Sequence, residues 1–135
     1  MYKKVLVPMA LDHGISAQTL ETAQALCAEG GEIKALHVYE LPSGTVGAYL
    51  DEDVVNNAFS HAEETLQEKL AGLDGVTGEL VKGHSARTIV DYANENGVDC
   101  IVMGSHKPGL SDYFIGSTAS RVVRHATCAV HIVRG

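Results

Sequence analysis

Apolar runs and amphipathic stretches alternate along the 135 residues of the chain. Five short runs rich in valine, isoleucine and leucine are typical of buried strands. They lie at 3–9, 33–39, 76–83, 100–104 and 129–133. The stretches between them repeat apolar residues at helical spacing, which predicts amphipathic helices. These helices lie at about 16–29, 53–73, 85–93 and 117–125.

Residues at the ends of the predicted helices indicate where each one begins and stops. Ser16 and Ser85 are candidate N-caps, because a serine hydroxyl accepts a hydrogen bond from a free amide of the first turn. The Gly30-Gly31 pair and the sequence NENG at 94–97 predict the ends of the first and third helices. Residues 40–52 contain two glycines and a proline and therefore predict a loop.

The alternation of five strands with four helices predicts an α/β fold. It favours one domain, residues 1–135, with a doubly wound parallel sheet of order 3-2-1-4-5 and helices on both faces. In such sheets ligands bind beyond the carboxyl ends of the strands, where the strand order reverses. That point lies between the first and fourth strands, so the segments 8–14 and 104–117 are predicted to border the ligand.

The segment after the fourth strand has the chemistry of an anion site. Gly116, Ser117 and Thr118 begin a predicted helix, whose free amides and dipole favour phosphate. His106 and Lys107 add positive charge, and they are candidates on that argument alone. In the alternative interpretation, Gly116 only permits a turn, Ser117 is an ordinary N-cap and Lys107 is a solvated surface residue.

Composition and charge exclude several classes of partner. The chain has 17 acidic and 10 basic residues, a net charge of -7, and it lacks the positive field that nucleic acid or an anionic membrane requires. No run approaches the roughly 20 apolar residues of a membrane span, and the N-terminus does not resemble a signal peptide. The three cysteines, an odd number at wide spacing, are typical of free thiols in a reducing compartment. We therefore expect a cytoplasmic protein that binds neither nucleic acid nor membrane.

Neither a metal centre nor a catalytic centre is predicted. The seven histidines are scattered without an i, i+4 pair, at 13, 37, 61, 84, 106, 125 and 131. His37 is expected to face a helix from its strand. Ser105 and His106 cannot form a catalytic pair by adjacency, and no Gly-x-Ser-x-Gly elbow occurs. Phosphate-binding Walker and Gly-x-Gly-x-x-Gly motifs are also absent. We expect a protein that is not an enzyme.

Three stretches resemble the universal stress protein family: YKKVLVPMA at 2–10, LHVYE at 36–40, and the long segment 83–134. The resemblance implies the doubly wound fold, homodimers and, in one branch, ATP bound at the switch point. The nucleotide-binding pattern of that branch is Gly, two residues, Gly, nine residues, then Gly-Ser/Thr. The expected cofactor is ATP, with or without Mg²⁺.

The chain departs from this pattern in two places. Lys107 stands where the pattern has its second glycine, and the interval to Gly116 is one residue shorter. In this respect the chain resembles a bacterial branch in which Ser-His-Arg/Lys-Pro replaces the first glycine-rich half, and the resemblance implies ATP binding there too. The aspartate that contacts ribose corresponds to Ala10, and Asp12 is a candidate replacement two residues further on.

Carried over by position, the resemblance assigns roles to the remaining site residues. Val38 would offer its backbone to adenine, and Pro8 and Met103 would enclose the base. Gly104 would lie against the ribose next to Ala10, and residues 116–118 would hold the phosphates.

Two functional hypotheses remain at this point. The first is a stress-response regulator that binds adenine nucleotide, with slow or absent hydrolysis. The second is a dimeric interaction protein that has lost the nucleotide, which Ala10 favours. For assembly, the edge strand 129–133 predicts a homodimer, because an open strand edge invites pairing. The alternative is a monomer whose edge is shielded by Arg134 and neighbouring helices.

Overall fold

A computed structural model describes residues 1–11, 14–40, 52–105 and 115–134. The strands of this part of the chain are β1 (Tyr2–Pro8), β2 (Cys27–Tyr39), β3 (Val76–Lys82), β4 (Cys100–Gly104) and β5 (Ala129–Val133). The helices are α1 (Ala17–Leu26), α2 (Glu52–Leu70), α3 (Ser85–Glu95) and α4 (Ser117–His125). Every predicted strand and helix is present. Most of the predicted loop at 40–52 lies outside the described residues.

The strands form one sheet of order β3-β2-β1-β4-β5 in which every neighbouring pair is parallel. This confirms the predicted doubly wound α/β fold and its strand order. The chain builds outward from β1 to β2 and β3, then returns to the other side of β1 for β4 and β5. The strand order therefore reverses between β1 and β4.

The sheet is buried on both faces, which explains why its central strands are continuous apolar runs. Because side chains alternate along a strand, Val5 and Val7 of β1 face one layer and Leu6 faces the other. The first layer contains α1 and α2, with Leu66 of α2 fully buried. The second contains α3 and α4, with Val122 of α4 fully buried.

The predicted end of the first helix is wrong by three residues. α1 stops at Leu26, and Cys27 is already extended, with φ -78° and ψ 133°. Gly30 has a φ of +77°, and the pairing of β1 with β2 shifts register here, between Tyr2↔Cys27 and Lys4↔Glu32. The two glycines therefore lie in an irregularity of the pairing between β1 and β2, instead of ending a helix.

The ends of two other helices also differ from the prediction. α2 ends at Leu70, three residues before the predicted end at Leu73. Leu73 fits the apolar pattern because it packs against the core from a turn after the helix. In this turn the Leu73 amide donates to the Leu70 carbonyl at 3.0 Å. Ser85 is the first residue of α3, so it is not the N-cap; His84 occupies that position without a side-chain hydrogen bond. Ser16 is the N-cap of α1 as predicted, and its Oγ accepts from the Thr19 amide at 3.1 Å.

Candidate functional site

A cleft of about 740 Å³ lies at the carboxyl ends of the central strands. Residues 8–10 at the end of β1, 36–40 at the end of β2, 103–105 at the end of β4 and 116–119 at the start of α4 border it. These segments meet there because the carboxyl ends of parallel strands lie at the same edge of the sheet. The strand order reverses between β1 and β4, so the loops that follow these two strands diverge and leave a cleft between them. The volume is within the range of small-molecule sites.

One part of the cleft is apolar. Leu36, Val38, Ile89 and Met103 line it and are all buried, at 8% exposure or less. They belong to the second core layer, so this slot continues the packing of the sheet against α3 and α4. A slot of this composition accommodates a flat, weakly polar group such as an aromatic ring.

The start of α4 supplies the polar part of the cleft. The first hydrogen bond within α4 joins the Ser120 amide to the Gly116 carbonyl at 2.9 Å. The amides of residues 117–119 precede it and have no carbonyl of the same helix to bind. Arg124 and His125 lie in the last turn, so the charges of the helix complement its dipole. The first turn is therefore a favourable position for an anion.

Gly116 is held in place by the end of β4. Its amide donates to the Ser105 carbonyl at 2.6 Å, and the Ser105 amide donates to the Val133 carbonyl of β5 at 3.0 Å. Gly116 occupies the N-cap position, with φ -59° and ψ 158° and no side-chain hydrogen bond. The interpretation of Ser117 as an ordinary N-cap is therefore wrong, because Ser117 already belongs to α4.

Two other helices also begin at the cleft, and each has its first turn bound by a side chain of the protein. In α1 the Ser16 hydroxyl accepts from the Thr19 amide. In α3 the Glu40 carboxylate accepts from both the amide and the hydroxyl of Ser85, at 3.1 and 2.6 Å. Among the described helix starts at the cleft, α4 differs in having glycine at its cap position.

The end of β1 turns sharply where the cleft begins. The Gly14 amide donates to the Ala10 carbonyl at 2.8 Å, and Gly14 has a φ of +64°. Ala10 lines the cleft with a methyl group, which offers no hydrogen-bond acceptor. Asp12, the candidate replacement, lies outside the described residues.

His37 links the ends of β1 and β2 at this point. Its Nδ1 lies 2.9 Å from the Met9 carbonyl oxygen, and the Met9 amide donates to the Leu36 carbonyl at 2.9 Å. His37 therefore borders the cleft, a position that the sequence pattern does not reveal.

The structure places most of the predicted site residues around this one cleft. The cleft-lining residues among them are Pro8, Ala10, Val38, Met103, Gly104, Gly116, Ser117 and Thr118. His106 and Lys107 lie outside the described residues and remain predictions. Glu40 was missed by the sequence analysis; its position directly after an apolar strand is the one sequence signal that it borders a ligand site.

The groups with the most displaced pKa lie away from the cleft. Burial raises the pKa of the Cys100 thiol to about 11 and also raises the pKa of Cys128. Burial and a hydrogen bond from its hydroxyl to Glu79 raise the pKa of Tyr92. The raised pKa values therefore follow from burial and, for Tyr92, also from its hydrogen bond to Glu79.

Metal centres and membrane-spanning helices are absent from the described ranges, 1–11, 14–40, 52–105 and 115–134. These ranges contain no group of three or more His, Cys, Asp or Glu side chains placed to hold a metal ion. Their helices include none with the length and hydropathy needed to cross a membrane.

A five-stranded parallel sheet with a reversal of strand order between β1 and β4 defines a doubly wound α/β protein, and the cleft lies at that reversal. The chain belongs to the universal stress protein family, whose model matches residues 1–134. It is 32% identical to a universal stress protein of Thermus aquaticus over 139 residues, 99% of this chain and 100% of the relative. It is 30% identical to universal stress protein G of Salmonella typhimurium over 142 residues, with 99% and 100% coverage.

Solved structures share the fold. Hypothetical protein MJ0577 superposes with a TM-score of 0.77 at 27% identity, covering 100% of this chain and 97% of that one. A universal stress protein in complex with cAMP matches with a TM-score of 0.58 at 18% identity, covering 98% and 97%. The universal stress protein of Archaeoglobus fulgidus in complex with dAMP matches with 0.53 at 23%, covering 98% of each chain. The last two matches, at this level of identity, concern the fold alone.

Proposed function

We propose that this universal stress protein is a regulator that binds an adenine nucleotide, with ATP as the expected ligand, in the cleft between β1 and β4. The phosphates lie at the first turn of α4, and the base lies in the apolar slot. The nucleotide acts as a bound signal, with slow or absent hydrolysis.

The observation that carries this proposal is the difference between the helix starts at the cleft. The first turns of α1 and α3 already bind Ser16 and Glu40. The first turn of α4 has Gly116 at its cap, and its amides border the cleft beside an apolar slot. An anionic group joined to a flat ring, which is the composition of a nucleotide, complements both parts at once.

Two structural neighbours support adenine as the base. Universal stress proteins of the same fold have been solved in complex with cAMP and with dAMP. A cleft at the switch point is also the general ligand position of doubly wound sheets. The proposal extends this ligand class to the present chain.

The proposed contacts follow the positions of the lining residues. The backbone of Val38 contacts adenine, Pro8 and Met103 enclose the base, and Gly104 lies against the ribose. Residues 116–118 bind the phosphates through amides and hydroxyls. His106 and Lys107, which lie outside the described residues, are proposed from the sequence alone to add positive charge.

Magnesium would have to be held mainly by the phosphates. Among the described lining residues the one carboxylate is Glu40, which is bound to α3, and Mg²⁺ prefers carboxylate, phosphate and water oxygens. Ser117 and Thr118 offer hydroxyls at the α4 end. We therefore expect ATP to bind with EDTA present as well as with Mg²⁺.

The competing function is an interaction protein without nucleotide, and Ala10 favours it because the cleft lacks a carboxylate at this position. Denaturing the purified protein and separating the supernatant by ion-exchange chromatography distinguishes the two. Near-stoichiometric adenine nucleotide supports the proposal. An empty supernatant, together with no heat of ATP binding in calorimetry, refutes it.

We further propose that two copies form a homodimer through β5. This strand lies at the sheet edge. The Ala129 amide donates to the Asp99 carbonyl, and the Val133 carbonyl accepts from the Ser105 amide. Residues 129, 131 and 133 therefore direct their backbone groups toward β4, whereas Val130 and Ile132 direct theirs outward. The outward row is a template for pairing with a second copy.

A further inference from the structure

Glu40 joins two elements at the border of the cleft. It directly follows β2, and its Oε1 accepts hydrogen bonds from the amide and the hydroxyl of Ser85, the first residue of α3. Glu40, Ser85 and the apolar slot residue Ile89 all line the cleft. The carboxylate therefore lies on the side of the slot that is formed by β2 and α3.

A carboxylate at this position has the chemistry of a bound phosphate. The start of a helix attracts anions through its free amides and its dipole. In α3 the anion is part of the protein, so the place that a phosphate oxygen would take beside the Ser85 amide is filled. In α4 the cap is glycine, and the first turn still faces the cleft.

The cleft thus has two helix starts of opposite character on its two sides. The α4 side favours negative charge. The α3 side carries the negative charge of Glu40 and repels a second one. A ligand with a charged end and an uncharged end is consequently favoured in a single direction.

We propose that Glu40 is a specificity-determining residue that sets the orientation of the ligand, because its carboxylate closes the α3 start to phosphate and confines the phosphates to α4. This inference rests on the proposed nucleotide binding and adds to it a discrimination by charge. Wild-type protein accepts an uncharged nucleoside on the α3 side without penalty, whereas part of the affinity for polyphosphate is lost to repulsion by Glu40.

Removing this charge should therefore strengthen the binding of ATP and leave the binding of adenosine unchanged. Glu40→Gln keeps the side-chain length and an oxygen that accepts from Ser85, and it removes the charge. Glu40→Ala also frees the Ser85 amide, so its effect should be at least as large. At about 10 mM ionic strength, where screening extends over roughly 30 Å, we expect ATP to bind at least about threefold more tightly to both variants.

Glu95→Gln is the matched control. Glu95 is exposed at the opposite end of the same helix. Its substitution by glutamine changes the net charge of the protein by the same amount as Glu40→Gln. Calorimetry with adenosine, ATP and inorganic tripolyphosphate measures the three variants and the wild type at about 10 mM and about 100 mM ionic strength. Thermal unfolding of each variant verifies the fold.

The expected result is a ratio of ATP to adenosine affinity that rises in both Glu40 variants, falls back at the higher ionic strength, and stays within twofold of wild type in Glu95→Gln. Tripolyphosphate should gain affinity in parallel with ATP.

Equal changes for ATP and adenosine would mean that Glu40 only supports the end of β2. Equal changes in Glu40→Gln and Glu95→Gln would mean a general charge effect, and an unchanged ratio would mean no effect; each of these overturns the inference. Wild-type protein that binds neither ATP nor adenosine refutes the proposed function itself, which is a separate result.

Discussion

Substituting Gly116 with valine tests the proposed phosphate site at the start of α4. Gly116 has φ -59° and ψ 158°, an extended conformation that valine adopts without strain. Valine is a poorer N-cap than glycine, which costs about 0.5–1 kcal/mol. For a domain of this size such a loss lowers the melting temperature by about 2–5 °C, so the variant should remain folded at 25 °C.

The effect on binding should be larger than the effect on stability. The new isopropyl group lies at the cleft border, where a phosphate must approach within about 2.9 Å of the following amides. Loss of one hydrogen bond to a charged group costs about 1.5–3 kcal/mol. The affinity for ATP should consequently fall by more than tenfold.

Isothermal titration calorimetry with ATP measures the affinity, and differential scanning fluorimetry reports the fold. Ser120→Val is the control, because it adds the same branched side chain one turn further along α4, at an exposed position outside the cleft lining. An ATP affinity of Gly116→Val within twofold of wild type, with a melting temperature inside the expected range, would refute the assignment of the phosphates to α4.

Four further outcomes are expected. Ala10→Asp should strengthen ATP binding by about 0.5–1.5 kcal/mol in calorimetry, because it restores an acceptor for the ribose hydroxyls; weaker binding would mean that the turn after β1 places the carboxylate elsewhere. Ile132→Pro should give a folded monomer in light scattering, because it removes a backbone donor of β5 that points away from β4. His131→Pro removes a donor that points toward β4, so it should lower the melting temperature. A wild-type monomer at micromolar concentration would contradict the dimer. Leu66→Ala should lower the free energy of unfolding by about 2–5 kcal/mol in urea titration, because Leu66 is 0% exposed. The pKa of Cys100 is raised to about 11, so its thiol should remain neutral at pH 8 and resist alkylation until the protein unfolds. Mass spectrometry of labelled peptides measures this reaction. Rapid labelling of Cys100 in the native state would contradict its burial.

The fold was predictable because two independent signals agree. Apolar runs such as 100–104 are buried on both faces, so their pattern survives in the sequence, and the handedness of the crossovers limits the possible strand orders. The position of the cleft follows from that order. The sequence therefore indicated that Gly116 and its neighbours begin a helix at the same edge of the sheet as the cleft.

The features that escaped prediction depend on contacts between distant parts of the chain. The carboxylate that accepts from the first amide of α3 belongs to Glu40, which is 45 residues before Ser85, and no local pattern around Ser85 indicates it. The end of α1 depends on the pairing of Cys27 with Tyr2, where the sheet competes with helix propensity. His37 borders the cleft and its Nδ1 lies 2.9 Å from the Met9 carbonyl oxygen, again a contact across strands.

The hydrogen bond between Ser105 and Gly116 has a consequence for how this site can change during evolution. It joins the two ends of the segment 106–115 at 2.6 Å, and Ser105 is itself bonded to β5. The start of α4 is therefore positioned by the sheet, independently of the length of the segment between the two residues. Because the entropy of closing a loop changes slowly with its length, residues can be inserted or lost between Ser105 and Gly116 without displacing the amides of α4. Homologues are then free to vary the length and sequence of this segment while they keep the same position for the start of α4.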